Sequence, residues 1–375
     1  MLVLPSFGAD YRAALVADMD TGRVLYQENA NDANYPASLT KIMTLYLTFD
    51  ALAHGRLHLD DYLIVSQSAA SASPVKLGLA AGSKIKVEDA IKALTVLSAN
   101  DVARVLAENL KGGMEGSFAT LMTRVANEIG LSGTNFENSS GLPDDDHLST
   151  ARDIALLSMA VYQHFPQYWK YFGIKTWTYN GKTYTNGNRL LGTYPGCDGM
   201  KTGYTNKSRY SLVATAARDG HHLIAVVLGA ESKDIRASVA TKMLNKGFDT
   251  LKNGSAPVVV NTYVVPVTAT SGASAQTFAS AYNAARTSAT SGYSPGADVS
   301  NNAPGNAGVQ FGAFSSRAAA QAQVNNVKNQ LGVSAVIETA PNGMFRVRAN
   351  NLSESAAQNI RSRAGAAGID SYVFH

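Results

Sequence analysis

Cysteine is nearly absent: Cys197 is the only one in 375 residues, so no intrachain disulfide can brace the chain. A disulfide-stapled scaffold is excluded, and any core must come from apolar packing. Long apolar runs are missing too. None approaches the roughly 20 residues that a membrane-crossing helix needs. Excess charge is also missing. The net charge is only +4, and the basic residues are scattered, without an aromatic-interleaved cluster. Nucleic acid is therefore not an expected partner. No metal and no cofactor are expected, since cysteines do not cluster and His221-His222 reads as a solvated turn pair. Cys197 lies four residues before Lys201 and reads as a small packing residue near a strand.

What is present is a set of three short motifs. Ser38-Leu39-Thr40-Lys41 opens an apolar stretch (Ile42, Met43, Leu45, Tyr46, Leu47) just after Pro36. Residues 38–47 read as a buried helix, with proline at its start. Residues three apart share a helix face, which sets Lys41 beside the Ser38 hydroxyl. A serine needs a neighbouring group to take its proton, and a buried lysine near other cations can do so. Ser98-Ala99-Asn100 follows the helical run from Ala90 to Leu97 and precedes another from Val102 to Leu110. It reads as a turn between helices, where Ser and Asn also serve as caps. Lys201-Thr202-Gly203 precedes two β-prone stretches, Tyr210 to Ala217 and Leu223 to Leu228, joined at Arg218-Asp219-Gly220. Here Gly203 leaves room for a close backbone, and Lys201 and Thr202 offer donors to a carboxylate.

In this order the three motifs resemble those of penicillin-binding proteins and serine β-lactamases. The surrounding segments, Asn31 to Met43, Asn135 to Asp153 and Asn186 to Thr205, are similar to the low-molecular-weight D-alanyl-D-alanine carboxypeptidases. The likeness runs from about Tyr11 to about Leu251. It implies a catalytic fold of an antiparallel sheet flanked by helices, with a helical lobe. It also implies roles. Ser38 is the acylated nucleophile and Lys41 its general base. Ser98 and Lys201 pass a proton to the leaving D-alanine, and Asn100 orients the acyl side. Lys201, Thr202, Gly203 and Tyr204 bind substrate, with Arg189 a further carboxylate contact. The backbone N–H groups of Ser38 and Tyr204 form the oxyanion hole. Implied partners are peptidoglycan stem peptides, with β-lactams as covalent inhibitors. A β-lactamase, a D,D-endopeptidase and a non-catalytic wall-binding protein stand as alternatives. Against the first, Ser-Ala-Asn replaces Ser-Asp-Asn, and Gly141 stands four residues after Glu137, where a class A β-lactamase has Asn.

Domain boundaries follow from composition. Residues 1–9 are similar to the tail of a secretory signal peptide that lacks its basic start, which implies an extracytoplasmic, periplasmic protein. Residues 10–254 form the catalytic domain. Residues 255–304 are rich in Ala, Ser and Thr and nearly uncharged, the composition of a flexible linker. It is too short and too low in complexity for the β-rich second domain of many such carboxypeptidases, and no anchor helix is visible. Val258 to Val267 is β-prone. Residues 305–375 regain order: a strand at Val309 to Phe314, a helix from Ser316 to Leu331, strands Ser334 to Glu338 and Met344 to Ala349 across Pro341-Asn342-Gly343, a helix from Leu352 to Ala367, and a strand at Asp370 to Phe374. The order βαββαβ is a small ferredoxin-like α+β layout. It resembles a SPOR domain, which implies binding to denuded glycan strands. Phe311, Phe314, Phe345, Arg346 and Arg348 are the candidate glycan-facing residues, although alternation sends about half of such phenylalanines to the core.

Overall fold

The computed structural model describes residues 10–253 and, between 307 and 374, all residues except 315, 332, 341–343, 353, 367, 368 and 370. The proposed leader at 1–9, the linker at 255–304, the β-prone stretch Val258 to Val267 and the Pro341-Asn342-Gly343 turn lie outside the described residues. The chain divides into two compact units, residues 1–291 and 292–375.

In the first unit, β1 (Ala13–Asp18) and β2 (Val24–Glu28) lead through a 3-10 turn, Ala37–Thr40, into α1 (Lys41–Ala53). A helical lobe follows: β3 (Tyr62–Ile64), α2 (Gln67–Ser71), β4 (Lys84–Lys86), α3 (Val87–Lys92), α4 (Asn100–Leu110), α5 (Glu115–Glu128) and α6 (Ala151–His164). A hairpin of β5 (Thr176–Tyr179) and β6 (Lys182–Thr185) precedes β7 (Cys197–Thr205), β8 (Arg209–Arg218), β9 (His221–Ala230) and α7 (Lys233–Lys252). The sheet runs β2-β1-β9-β8-β7 and is antiparallel throughout, so β7 is an edge.

The central strands are apolar on both faces because both faces are covered. Leu15, Val213, Ile224 and Val226 pack into the core of the helical lobe. Their alternates Val16, Leu212, Leu223 and Val227 pack with Val239, Met243 and Phe248 of α7. This is the period of two expected of a strand between two layers. Helix α1 is buried from Lys41 to Leu52, with no solvent face. An all-round apolar helix of this kind belongs in a core, and Lys41 goes inside with it. The outer helices start conventionally: Thr150 accepts from Asp153 N at 3.0 Å and Ser232 accepts from Ile235 N at 3.1 Å.

In the second unit, β10 (Ala307–Phe314), α8 (Arg317–Leu331), β11 (Val336–Thr339), β12 (Phe345–Leu352), α9 (Glu354–Ala366) and β13 (Tyr372–Phe374) follow the expected βαββαβ order. The sheet runs β11-β12-β10-β13, with all neighbours antiparallel. Val309, Phe311, Val347, Ala320, Val327 and Ala357 make a core of their own. Phe311 is 1% exposed and belongs to that core, so it offers no surface to a ligand. Phe314 and Phe345 also pack against it, half-buried. On the open side, Arg348 lies opposite both Val336 and Gln310, and Gln310 opposite Tyr372, so the four form one row across the sheet. Arg348 donates to Gln310 Oε1 at 2.8 Å and to Glu338 Oε2 at 3.1 Å, and stacks 4.3 Å over the Phe374 ring. Arg346 lies opposite Glu338 on β11.

Candidate active site

Ser38 sits in the 3-10 turn rather than inside α1, and this turn hands the chain directly to Lys41. Two close backbone approaches hold it. A Cβ on Gly203 of β7 would lie 3.0 Å from Pro36 O and 3.3 Å from Ser38 N. A Cβ on Gly141 would lie 1.7 Å from Ala37 O, and Gly141 has φ +80°. Only glycine fits at 141, and at 203 a Cβ would be in tighter than ordinary contact. What crowds Gly203 is thus the protein's own turn that carries Ser38, where the sequence suggested a substrate backbone. Ala37 itself has φ +48°, a costly conformation for a residue with a Cβ, immediately before Ser38.

Lys41 is 0% exposed. Its Nζ lies 3.0 Å from Ser38 Oγ, 2.8 Å from Asn100 Oδ1 and 2.7 Å from the Ser140 carbonyl. The last two partners are acceptors only, so Lys41 must donate to both. A neutral amine has two N–H bonds and one lone pair. With both bonds used, the lone pair is directed at the Ser38 hydroxyl. Burial pushes the Lys41 pKa well below the lysine range, and the charge of Lys201 pushes the same way. Asp101 and Glu115 oppose this. Asp101 is spent on the loop above, accepting from Leu77 N and Gly78 N, both at 2.9 Å. Glu115 accepts from Arg104 Nε at 2.5 Å and from Ser139 Oγ at 2.5 Å.

Ser98 occupies the left-handed region, φ +66°, between a π turn (Ala93–Leu97) and α4. This is the turn between helices read from the sequence. Its Oγ accepts from Lys201 Nζ at 2.9 Å, and Lys201 also donates to Thr202 O at 2.9 Å. Lys201 is 2% exposed, and burial followed by the nearby Arg236 charge pulls its pKa down to about 7. Lys201 lies opposite Val213 and Gly203 opposite Ser211, so both point from β7 toward the helical lobe. The motif falls in the second half of β7, which starts four residues before the lysine, at Cys197. The strand starts early because Asp198 is tied down by Trp169 Nε1 at 2.7 Å, Thr215 Oγ1 at 2.7 Å and His222 Nε2 at 3.1 Å.

Several expectations change here. His222 is buried against Tyr162 and Trp169 and bonded to Asp198, so it is no solvated turn residue. Cys197, by contrast, is as expected: it is half-buried, and burial raises its thiol pKa to about 11, which fits packing and not reactivity. Arg189 lies outside the cluster, on the surface, paired with Asp234 at 2.6 Å. The Tyr204 ring is half exposed and stacks on Tyr210 at 4.3 Å. Glu137 is exposed and accepts from Asn135 Nδ2 at 2.6 Å, outside the buried cluster. His54 and His58 have metal-like spacing, but pair separately with Asp50 and Asp61.

The sequence reading missed three contributors. Arg236 on α7 is nearly buried and donates to Gly203 O at 3.3 Å and Ser211 O at 3.2 Å, bracing the edge strand behind Lys201. The Ser140 carbonyl is a backbone group, invisible to motif reading. His147 is buried, with Nδ1 accepting from Glu137 N at 3.2 Å and Nε2 facing Thr40 Oγ1 at 2.8 Å. Its pKa is pushed to about 4 by burial, so it is neutral, and it supports the turn that carries Ser38 through Thr40.

A pH dependence follows from Lys201. Its folded pKa of about 7 lies below the ordinary value of 10.5. Between these values the unfolded chain holds the proton and the folded chain does not, so stability rises with pH there. Below about pH 7 the folded state carries a buried charge. Lys201→Met is therefore expected to raise the melting temperature most at pH 6, with the gain shrinking by pH 9. Thermal melts at both values check this, and a gain that grows with pH would contradict it.

Comparison with known proteins agrees with this geometry. The D-alanyl-D-alanine carboxypeptidase family matches residues 7–232, and the SPOR domain family matches residues 303–374. The chain is 36% identical over 248 residues to the D-alanyl-D-alanine carboxypeptidase DacF of Bacillus subtilis, covering 63% of this chain and 62% of the relative. It is 38% identical over 246 residues to DacC of Escherichia coli, covering 64% and 61%. The chain thus spans about three fifths of the length of these curated relatives. Among solved structures, the carboxypeptidase DacD of Francisella tularensis superposes with a TM-score of 0.62 at 30% identity, over 66% of this chain and 72% of that one. Penicillin-binding protein D2 of Listeria monocytogenes, in its ampicillin-bound form, gives 0.60 at 32% identity, over 65% and 100%. The chain belongs to the D-alanyl-D-alanine carboxypeptidase family and carries a SPOR domain at its C-terminal end.

Proposed function

We propose that the protein is an extracytoplasmic serine carboxypeptidase that removes the terminal D-alanine of peptidoglycan stem peptides. The observation that carries this reading is the fully buried Lys41 amine, 3.0 Å from Ser38 Oγ with its two other contacts both carbonyl oxygens. Ser38 Oγ attacks the penultimate D-alanine carbonyl and gives its proton to Lys41. The oxyanion forms against the backbone N–H groups of Ser38 and Tyr204, one such donor contributing roughly 3–4 kcal/mol. Ser98 protonates the leaving D-alanine amine as the C–N bond breaks and takes a proton in turn from Lys201, 2.9 Å away, while the proton on Lys41 returns to Ser38 Oγ when the ester is hydrolysed. The leaving carboxylate lies at Lys201 and Thr202. Water then hydrolyses the ester on Ser38. The β-lactam ring mimics the scissile amide, and the ampicillin-bound Listeria relative supports penicillin as a probe here. Against a β-lactamase stand the exposed Glu137 and the absence of any carboxylate bonded to Ser38 or Lys41 among the described residues.

The proposed domains are a catalytic domain at 10–254, a linker at 255–304 and a wall-binding domain at 305–375. Arg348, Arg346, Tyr372 and Phe374 line the open side of the second sheet, where stacking rings and guanidinium groups suit sugar faces. Phe314 and Phe345 serve that sheet mainly through packing.

The nucleophile is tested by intact mass spectrometry. After incubation with penicillin the wild type is expected to carry a long-lived adduct and Ser38→Ala none, with D-alanine release from a pentapeptide also lost. An adduct on Ser38→Ala would sink the assignment. For the second domain, residues 305–375 alone are expected to sediment with sacculi, and more strongly once an amidase has stripped the stem peptides. Equal binding to intact and stripped sacculi would remove the glycan reading.

A further inference from the structure

Lys41 takes its two acceptors from different parts of the chain. Asn100 opens α4, and the Ser140 carbonyl belongs to a turn between α5 and α6. The lone pair of a neutral Lys41 is aimed at Ser38 only while both oxygens keep their places. Glu115 bonds to both elements. It opens α5, where the free N–H groups of a helix start favour a carboxylate. Its Oε2 accepts from Arg104 Nε at 2.5 Å, one turn along α4 from Asn100. Its Oε1 accepts from Ser139 Oγ at 2.5 Å and from Ser139 N at 3.1 Å, beside the carbonyl that Lys41 uses.

The turn is stiff, so a hold on Ser139 is felt along its length. Asn138 Oδ1 accepts from Ser140 N at 3.2 Å, Gly141 N at 2.8 Å and Leu142 N at 3.1 Å. The Ser139 carbonyl accepts from Thr44 Oγ1 of α1 at 2.6 Å, the Ser140 carbonyl accepts from Lys41, and Gly141 presses on Ala37 O. Three consecutive residues thus meet α1 and the turn that carries Ser38. The Arg104 and Glu115 side chains are 22% and 16% exposed, which shields their pair from the solvent that weakens surface pairs.

We propose that Glu115 is a positioning residue for the acyl transfer: by bonding to Arg104 and Ser139 at once, it fixes the two oxygens that orient Lys41. The inference rests on the carboxypeptidase reading. A carboxylate suits this task because all three groups that meet it are donors. Its charge works the other way, since it favours the ammonium form of Lys41. What Glu115 contributes is therefore geometry.

The test reads the rate at which penicillin acylates the full-length protein, per site that finally labels. Saturation of that rate with penicillin separates the acylation constant from binding. Partial misfolding lowers the number of sites and leaves the rate per site alone. In Glu115→Gln the amide sets N–H against N–H whichever way it turns, toward Arg104 or toward Ser139. Acylation is expected to slow about tenfold, within the roughly hundredfold that a misplacement of about 1 Å can cost, with binding changed less than about twofold. Arg104→Gln still offers Oε2 an N–H and is expected to lose less, about two- to threefold. The double variant, Arg104→Gln with Glu115→Gln, pairs an amide N–H with an amide carbonyl and leaves Ser139 its acceptor. It is expected to acylate about fivefold faster than Glu115→Gln alone, the non-additivity of two groups that act as one. A wild-type rate per site in Glu115→Gln, or a double variant no faster than Glu115→Gln, overturns the inference. If Glu115→Gln labels no sites, the double variant decides: labelling supports the inference and its absence overturns it. No adduct on the wild type overturns the parent reading itself, a result distinct from a wild type that labels and variants that do not differ.

Discussion

Two lysines buried side by side are the constraint on which the rest of this structure depends. An isolated ammonium in a low-dielectric interior is costly, and two near each other cost more. The fold does not supply a carboxylate bonded to either amine among the described residues. It offers carbonyl and hydroxyl oxygens: Asn100, Ser140 and Ser38 to Lys41, and Ser98 and Thr202 to Lys201. Such partners satisfy an amine's donors without holding its charge. Burial thereby favours the neutral form of the Lys41 amine next to the Ser38 hydroxyl, which is what the proposed acyl transfer needs.

The surroundings serve this arrangement at close quarters. Gly141 and Gly203 let two backbones press on the turn that carries Ser38 from different directions, so the position of Ser38 is set by main chain rather than by side-chain rotamers. Arg236 fastens β7 to β8 through Gly203 O and Ser211 O, and its charge lowers the Lys201 pKa at the same time. Asn100 ties Lys41 to the loop above. Its Oδ1 accepts from Lys41, and its Nδ2 donates to Ser73 O at 3.3 Å in the loop above.

Ser38, Lys41, Ser98, Asn100 and Lys201 stand out in the sequence because each lies in a short motif whose spacing has a local meaning. Hydrogen bonds join them in two groups, Ser38–Lys41–Asn100 and Ser98–Lys201. The small C-terminal unit is legible for a similar reason: alternation and glycine punctuation mark each strand and helix. What escaped the sequence is non-local or belongs to the backbone. Nothing around Arg236 in the first turn of α7 tells it from a surface arginine, whereas Arg189, beside a suggestive loop, ends at the surface with Asp234. His147 and His222 go inside because distant strands and loops supply their partners. Phe311 illustrates the ambiguity of alternation, which defines two faces without saying which one meets solvent.

The central claim of the proposed function is that Lys41 is neutral when it takes the Ser38 proton, and the most direct measurement is its titration. With lysines labelled with ¹⁵N, and the Lys41 Nζ signal identified by its loss in Lys41→Arg, nuclear magnetic resonance reads the charge of that one amine as pH changes. The account predicts a neutral-amine shift for Lys41 at pH 7, while exposed lysines still titrate near their ordinary value of about 10.4. A Lys41 signal that stays ammonium-like up to pH 9 would contradict it and would require another group to take the Ser38 proton.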